Sequence, residues 1–345
     1  MKNIKKIYKG IPEGEFKNLI YKIYRKNKSN KPKFPSYAQI EPTTRCNLNC
    51  VMCMRNDFLN SGIMKLGDMN FENFKKILDK IPSTKELDLQ GVGEPFLNED
   101  IFRMIKYAKN KGLKVFTVTN ATLIGEMSKN IVESGLDLMK ISFYSPDIDV
   151  YEKIMKNSNM KRVINNIKLL NEMKGEYNSE TPILELTLGA MENNLHTLSN
   201  FPELAYDVGI NKLIIGEIYG YGKPIILTNK TKKIIEEVKK KSKKFEIETT
   251  INIPKRVYDF TKICLWPWKG IYITWDGYVK PCCSRPYFIN FDFGNIIELD
   301  FEKIWNSEKY IKFREMLKSK NVPLMCKGCQ YDFSVFGAMN EKIYH

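Results

Sequence analysis

Short apolar runs alternate with amphipathic stretches between residues 37 and 243, and this alternation predicts strand–helix repeats. The six predicted strands span residues 37–43, 86–90, 114–119, 137–144, 183–189 and 212–219. The predicted helices between and after them span residues 71–80, 98–111, 125–134, 148–174, 193–208 and 228–243. Such repeats indicate parallel strands joined by right-handed crossovers. Six are too few for a closed eight-fold barrel, so we predict an α/β fold with an open, partial (β/α)6 barrel.

The pattern changes at both ends of the chain. Residues 1–35 are basic and helical in spacing, which predicts an N-terminal extension before a barrel at 36–245. After residue 250, two short apolar runs flank Asp276-Gly277, a pair typical of hairpin turns. An amphipathic helix is predicted at 301–318. Residues 246–345 are therefore predicted to form a second, small domain built from a β-hairpin and a helix.

Composition limits the cellular setting. The 345 residues are 43% hydrophobic, no apolar run is long enough to span a bilayer, and no signal-peptide core is visible. We expect a soluble, cytoplasmic protein with no membrane partner. Its eight cysteines indicate metal or redox chemistry, because structural disulfides are unusual in a reducing cytosol.

The formal net charge of +15 raises the question of nucleic-acid binding. The lysines are scattered along the chain and are not interleaved with aromatic residues in one patch. Nucleic acid is therefore not an expected partner. An acidic substrate, or an acidic electron donor such as a flavodoxin or ferredoxin, fits the charge better.

Three cysteines follow the first predicted strand at Cx3Cx2C spacing: Cys46, Cys50 and Cys53. We call residues 41–53 the cysteine loop. Soft thiolates select zinc, copper or iron–sulfur. A structural zinc site needs four protein ligands, whereas an iron–sulfur cluster with one open iron needs three. The alternative is a chance grouping of buried thiols.

The cysteine loop resembles that of the radical SAM superfamily, in which the open iron binds the amino and carboxylate groups of S-adenosylmethionine. Gly91-Val92-Gly93-Glu94-Pro95 follows the second strand and resembles the family's GGEP motif. We call residues 91–95 the glycine loop. The resemblance implies that Gly93 and Glu94 accept hydrogen bonds from the methionine ammonium. The alternative is a structural turn.

Further positions match the family at the ends of later strands. Asn120 and Ser142 follow or end the third and fourth strands, and the resemblance implies that they contact the ribose or carboxylate of the cofactor. Met52 stands where an aromatic residue often packs on adenine. A thioether can pack on a ring edge, which implies a cofactor-binding role for Met52.

The carboxylate-binding arginine of the family has no direct counterpart. Met155 occupies its usual place in the helix after the fourth strand. The resemblance then implies that Lys156 or Arg162 binds the carboxylate of S-adenosylmethionine, or that this ion pair is absent.

Polar residues past the sixth strand are the catalytic candidates: Glu217, Tyr219 and Tyr221. Their position places them around a substrate cavity, where a base is needed if a radical is to be oxidised. A glycine-rich loop with satisfied polar groups is the alternative.

Four cysteines near the C-terminus form a second constellation: Cys264, Cys282, Cys326 and Cys329. Four thiolates complete either a 4Fe–4S cluster or a zinc site. The segment resembles the SPASM/twitch extension of radical SAM enzymes, in the short form with one auxiliary 4Fe–4S cluster. Cys283 is the spare, either a packed thiol or an alternate ligand.

The resemblance covers residues 36–335 and implies a radical SAM oxidoreductase. Such an enzyme reductively cleaves S-adenosylmethionine to a 5′-deoxyadenosyl radical, which abstracts a substrate hydrogen, and the auxiliary cluster assists net oxidation or bond formation. We expect a small-molecule substrate such as a sugar, an aminocyclitol or a cofactor precursor. One alternative is a maturase of a ribosomally synthesised peptide or a protein side chain, and another is a non-enzymatic metal-binding scaffold.

Overall fold

The computed structural model describes residues 29–217, 229–252, 264–287, 291–319 and 322–326. Of the predicted N-terminal extension, residues 1–28 lie outside the described residues.

Within those ranges, nine strands form a single sheet in the order β7-β6-β5-β4-β3-β2-β1-β8-β9. The strands are β1 (Tyr37–Ile40), β2 (Glu86–Leu89), β3 (Lys114–Thr119), β4 (Leu138–Ser142), β5 (Ile183–Ala190), β6 (Lys212–Glu217), β7 (Glu248–Asn252), β8 (Gly270–Ile273) and β9 (Val279–Lys280). Neighbouring strands from β1 to β7 are parallel, β8 is parallel to β1, and β9 is antiparallel to β8. The predicted partial barrel followed by a small hairpin-and-helix domain is confirmed.

Helices connect the successive parallel strands, as a right-handed crossover requires, and two more helices follow β9. They are α1 (Arg55–Asn60), α2 (Phe71–Lys80), α3 (Ile101–Asn110), α4 (Ser128–Glu133), α5 (Ile148–Ile154), α6 (Met160–Glu176), α7 (Phe201–Asp207), α8 (Asn229–Lys244), α9 (Trp266–Lys269), α10 (Phe301–Trp305) and α11 (Glu308–Lys318). Shorter 3-10 turns span Pro95–Leu97, Leu195–Asn200 and Leu324–Cys326. No helix in the described ranges is long and apolar enough to cross a membrane.

The two faces of strands β1 and β2 carry different kinds of side chain. Ile40 and Leu89 are fully buried in one hydrophobic cluster with Phe74 of α2. On the opposite face, the Tyr37 hydroxyl donates to Asp88 Oδ2 at 2.8 Å. One strand face is therefore an apolar packing surface for helices, and the other carries polar groups.

The predicted helix over 148–174 is wrong in one respect: it is two helices, α5 and α6. Asn157 adopts φ +72 between them, and the Asn159 side chain accepts from Arg162 N as the N-cap of α6. Asparagine tolerates the left-handed region and caps helices well, so the Asn-Ser-Asn sequence ends one helix and starts the next. The predicted helix over 301–318 also breaks, where Ser307 caps α11.

The C-terminal segment is joined to the barrel through β1. Strand β8 pairs with β1 in register from Tyr37–Gly270 to Ile40–Ile273. The backbone continues this ladder one residue further, since Glu41 N donates to Ile273 O at 2.9 Å. Strand β7, which the sequence analysis missed, extends the sheet at its other end. The domain boundaries 1–35, 36–245 and 246–345 stay a prediction.

Candidate metal centre

Cys46, Cys50 and Cys53 lie in the loop that leaves the carboxyl end of β1. Cys46 and Cys50 are half-buried and Cys53 is exposed. Burial raises the pKa of the Cys50 thiol to about 12 and also raises the pKa of Cys46. A metal must displace the protons of these two thiols to bind them as thiolates.

The turn between α5 and α6 anchors the cysteine loop through backbone hydrogen bonds. Asn49 N donates to Lys156 O at 3.0 Å, and Val51 N donates to Ile154 O at 2.9 Å. The Lys156 side chain is exposed, and its predicted carboxylate-binding role stays a prediction. The unpredicted break between α5 and α6 thus positions Asn49 and Val51, which lie between the predicted cluster ligands.

Met155 is the C-cap residue of α5, at the start of this turn, and has 1% of its surface exposed. Its sulfur lies 3.6 Å from Cys50 Sγ, so Met155 packs against the cysteine loop. In the radical SAM resemblance, a carboxylate-binding arginine is usual at this position. Arg162 Nη2 lies 3.0 Å from Glu126 Oε1, and both side chains are exposed. The predicted contact of Arg162 with the cofactor stays a prediction.

The glycine loop packs directly on the backbone of the cysteine loop. A Cβ atom on Gly93 would lie 2.4 Å from the Thr43 carbonyl oxygen and 2.5 Å from that of Arg45. Glu94 N donates to Arg45 O at 2.8 Å. Only glycine permits this approach, so Gly93 holds the two loops together.

The Glu94 side chain is 2% exposed and joins the glycine loop to the end of β3. Its Oε1 accepts from Thr119 Oγ1 at 2.7 Å and from Phe96 N at 3.4 Å, and its Oε2 accepts from Asn120 N at 2.8 Å. Burial raises the pKa of Glu94 to about 7, against the lowering by these donors. The predicted contact of Gly93 and Glu94 with the methionine ammonium stays a prediction.

Asn120 lies beside the first cysteine. Its Nδ2 is 3.9 Å from Cys46 Sγ and donates to Asn47 Oδ1 at 2.9 Å, while its Oδ1 accepts from Thr122 N at 2.9 Å. The loops after β1 and β3 are therefore linked beside Cys46, and the predicted contact of Asn120 with the cofactor stays a prediction.

The other predicted cofactor contacts lie near these loops or at strand ends. Ser142 is the last residue of β4, is half-buried and pairs with Thr187 of β5. Met52 is half-buried against the core. Glu217 ends β6, whereas Tyr219 and Tyr221 lie outside the described residues. The roles of these five residues stay predictions.

Glu41 is a buried carboxyl that the sequence analysis missed. Its Oε1 accepts from Val92 N at 3.1 Å and from Tyr272 Oη at 3.1 Å. Its Oε2 accepts from Trp275 N at 3.4 Å and from Tyr287 Oη. It connects the glycine loop with the β8–β9 hairpin and the segment after it. The available signal was a glutamate at the first position of the cysteine loop.

Cys264, Cys282 and Cys283 of the second cysteine set lie close to β8. The Cys282 and Cys283 side chains are hydrogen bonded, which lowers the pKa of the Cys282 thiol to about 7. Burial raises the pKa of Cys283, and Cys264 is close enough to raise it further. Cys326 is half-buried. Cys329 lies outside the described residues.

A hydrogen bond holds the last described segment close to this set. Arg285 Nη1 donates to Met325 O at 2.8 Å, which brings the chain after Cys283 against the turn that contains Cys326. Three of the four predicted ligands therefore belong to segments in contact with one another.

The donor sets fit iron–sulfur clusters. Cys46, Cys50 and Cys53 share one loop, and the thiols of Cys46 and Cys53 are close enough to that of Cys50 to raise its pKa. Three thiolates on one loop would hold a 4Fe–4S cluster and leave one iron open.

These features define an α/β protein with a three-cysteine cluster loop at the catalytic end of a partial barrel. A model of the radical SAM superfamily matches residues 40–198, and a model of the SPASM iron–sulfur cluster-binding domain matches residues 264–330. The chain belongs to the radical SAM superfamily and carries a C-terminal SPASM domain. The two domains imply S-adenosylmethionine at a 4Fe–4S cluster and an auxiliary iron–sulfur cluster, as predicted from the cysteines.

Two curated relatives match most of the chain. The tungsten-containing aldehyde ferredoxin oxidoreductase cofactor-modifying protein of Pyrococcus furiosus is 27% identical over 332 residues, which cover 85% of this chain and 86% of the relative. The antilisterial bacteriocin subtilosin biosynthesis protein AlbA of Bacillus subtilis is 25% identical over 291 residues, which cover 81% of this chain and 61% of AlbA.

A solved structure shares the fold. Streptococcus suis SuiB bound to its precursor peptide SuiA aligns with a TM-score of 0.64 at 16% identity, covering 88% of this chain and 72% of SuiB. The S-adenosylmethionine complex of SuiB gives a TM-score of 0.65 at 16% identity, covering 93% of this chain and 75% of SuiB.

Proposed function

We propose that this chain is a radical SAM oxidoreductase that removes a hydrogen atom from a small molecule of the cofactor-precursor class. The observation that carries the proposal is the convergence of three strand-end loops on the segment of Cys46, Cys50 and Cys53, with Cys264 before β8 and Cys282 after β9 of the same sheet. When bound, the clusters and S-adenosylmethionine supply a 5′-deoxyadenosyl radical and an acceptor for the electron left on the substrate.

The residues around the cysteine loop hold and orient the cofactor in this proposal. Gly93 and Glu94 place carbonyl and carboxyl oxygens near the methionine ammonium, and Asn120 lies beside Cys46. Ser142 and Met52 complete the contacts to ribose and adenine. Lys156 or Arg162 would supply charge for the carboxylate. These roles are supported by the short distances among the cysteine loop, the glycine loop and the end of β3.

The proposed reaction needs a donor for the electron that cleaves S-adenosylmethionine, and acceptors for the electron and proton that the substrate loses. A flavodoxin or ferredoxin is the proposed electron donor, in keeping with the net charge of +15. Cys264, Cys282, Cys326 and Cys329 would hold the auxiliary cluster, which would supply an acceptor for the electron that the substrate loses. The proton of the substrate goes to a base at the end of β6, for which Glu217, Tyr219 and Tyr221 are the candidates.

The substrate class rests on the relatives. The Pyrococcus furiosus protein, similar over most of both chains, is named for modifying a cofactor, which favours a cofactor precursor as the substrate. The second candidate function is maturation of a peptide side chain. AlbA is named for bacteriocin biosynthesis, and SuiB binds a precursor peptide.

The cluster assignment is tested on anaerobically reconstituted protein. We expect about eight irons per chain and 5′-deoxyadenosine on reduction with S-adenosylmethionine. A Cys46→Ala/Cys50→Ala/Cys53→Ala variant should lose 5′-deoxyadenosine formation, and continued formation would refute the assignment. Cys282→Ala should lose the auxiliary iron, and its neighbour Cys283→Ala, the matched control, should keep it.

The substrate class is tested with an extract of cells grown in deuterated medium. The extract is divided into a low-molecular-weight fraction and a peptide fraction. Deuterium in 5′-deoxyadenosine reports the fraction that donates the hydrogen atom. Transfer from the low-molecular-weight fraction supports the proposal. Transfer from peptides alone supports the second candidate and overturns the first.

A further inference from the structure

Glu41 is fully buried at the point where three parts of the molecule meet. It follows β1, accepts from the glycine loop through Val92 N, and accepts from the C-terminal domain through the Tyr272 and Tyr287 hydroxyls. Its own backbone N–H is bonded to Ile273. A displacement of this carboxyl therefore reaches both the glycine loop and the C-terminal domain.

We propose that Glu41 is a positioning residue that couples the C-terminal domain to the S-adenosylmethionine site. Through Glu41, the Tyr287 hydroxyl strengthens cofactor binding without touching the cofactor. The inference rests on the proposed function, because it takes the glycine loop as the part of the site that holds the methionine ammonium.

Close packing leaves the glycine loop no freedom to absorb a shift of Glu41. A Cβ atom on Gly91 would lie 2.3 Å from Glu41 Cγ, and one on Gly93 would lie 2.4 Å from the Thr43 carbonyl oxygen. Val92 is held between these two contacts while its N–H donates to Glu41. Because packed interiors transmit strain, movement of the carboxyl changes the conformation of residues 91–93.

The protonation of the Glu41 carboxyl also depends on its hydrogen-bond donors. Burial raises the pKa of Glu41 to about 7, and the bonds from Tyr287, Val92, Tyr272 and Trp275 each oppose that rise. Removing one donor leaves a buried carboxyl with less compensation, and an under-satisfied buried group rearranges or takes up a proton. The effect of losing Tyr287 is therefore transmitted by Glu41.

Tyr287 and Tyr310 allow a matched comparison of two buried tyrosine hydroxyls. Tyr287→Phe removes a hydroxyl bonded to Glu41. Tyr310→Phe removes a hydroxyl that is equally buried in the C-terminal domain but has no hydrogen-bond partner among the described residues. The two variants differ in the link to Glu41 and share the loss of one buried oxygen.

The experiment is a double-mutant cycle on S-adenosylmethionine affinity, measured by anaerobic equilibrium dialysis of reconstituted protein. Tyr287→Phe should raise the Kd about fivefold, the size expected for partial loss of a hydrogen bond to a charged group. Glu41→Gln should raise it at least as much. The double variant should resemble Glu41→Gln alone, because the two residues act in series. Tyr310→Phe should bind as the wild type does.

A second readout needs no cofactor. Hydrogen exchange of the Val92 amide, followed without S-adenosylmethionine, should be several-fold faster in Tyr287→Phe and unchanged in Tyr310→Phe. If Tyr287→Phe does not fold, Tyr272→Phe removes a donor to the other carboxyl oxygen and replaces it in both measurements.

An unchanged Val92 exchange rate, or additive effects of Tyr287→Phe and Glu41→Gln on the Kd, would overturn the inference. Failure of the proposed function is distinguishable: the wild-type protein with intact clusters would then form no 5′-deoxyadenosine. The exchange experiment still decides the coupling in that case.

Discussion

A Gly93→Ala substitution places a methyl group against the backbone of the cysteine loop. The new carbon would lie 2.4 Å from the Thr43 carbonyl oxygen, 2.5 Å from that of Arg45 and 2.9 Å from the Thr43 carbonyl carbon. Non-bonded heavy atoms prefer separations of about 3.5 Å. Since the contacts are backbone and not the ends of flexible side chains, the glycine loop must move by about 1 Å.

The expected cost has two parts. Forcing a methyl group into a packed site costs about 1–3 kcal/mol. The movement also breaks the 2.8 Å bond from Glu94 N to Arg45 O, which contributes about 1 kcal/mol. We therefore expect Gly93→Ala to lower the free energy of unfolding by about 2–4 kcal/mol. S-adenosylmethionine affinity should also fall, because the loop that holds it has moved.

Urea unfolding of the metal-free protein, kept anaerobic and reduced, measures the first effect, and equilibrium dialysis of the reconstituted protein measures the second. Gly175→Ala is the control, because it lies in α6 with nothing within 4 Å of the added Cβ. It should be neutral or stabilising by up to about 1 kcal/mol. If Gly93→Ala matched Gly175→Ala in both assays, the close approach of the two loops would be wrong.

Two further predictions concern the cysteine loop and the Glu94 carboxyl. Met155→Ala opens a cavity next to Cys50, so it should destabilise the protein by about 2–4 kcal/mol and reduce the iron bound at this site. The control is Met173→Ala at a half-buried position, which should keep its iron. Equal iron content in both variants would contradict the role of Met155. The pKa of Glu94 is raised from an ordinary value of 4.5 to about 7 in the folded protein, so its contribution to stability is complete below pH 4.5. That contribution falls by up to about 3 kcal/mol as the pH rises to 7. Urea unfolding at pH 5 and pH 7.5 should show a smaller loss in Glu94→Gln than in the wild type, and equal losses would refute the assignment.

The sequence predicted the regular elements well where apolar periodicity decides the structure. Predicted strand 114–119 and helix 71–80 have the bounds of β3 and α2. Strand β7 was missed because Glu248–Asn252 carries one strongly apolar residue, Ile251, and becomes a strand through pairing with β6. Such a segment is specified by tertiary context, which local propensity does not show.

The candidate site also has one part that local sequence pattern predicted and one part that it did not. Cysteine spacing predicted the cluster loop, and strand-end position predicted that Asn120 lies at the same end of the sheet. Glu41 was missed because its four partners come from the glycine loop and from residues 272–287, more than 230 positions further along the chain. A contact of that sequence separation leaves no periodicity or spacing in a single sequence.

The pairing of β8 with β1 explains why a coupling residue should stand at position 41. Parallel pairing in register brings the carboxyl ends of both strands to the same level of the sheet. The cysteine loop leaves β1 at that level, and the turn between β8 and β9 leaves β8 there. The side chain that follows β1 therefore lies beside this turn, whose Trp275 N–H donates to it. A carboxyl there can accept from both sides at once, whereas a shorter or apolar residue would leave Val92 N and the Tyr287 hydroxyl buried without an acceptor. Glu41→Gln keeps one acceptor oxygen for Val92, so it should fold where Glu41→Ala fails, and equal stability of the two variants would refute this reading of the junction.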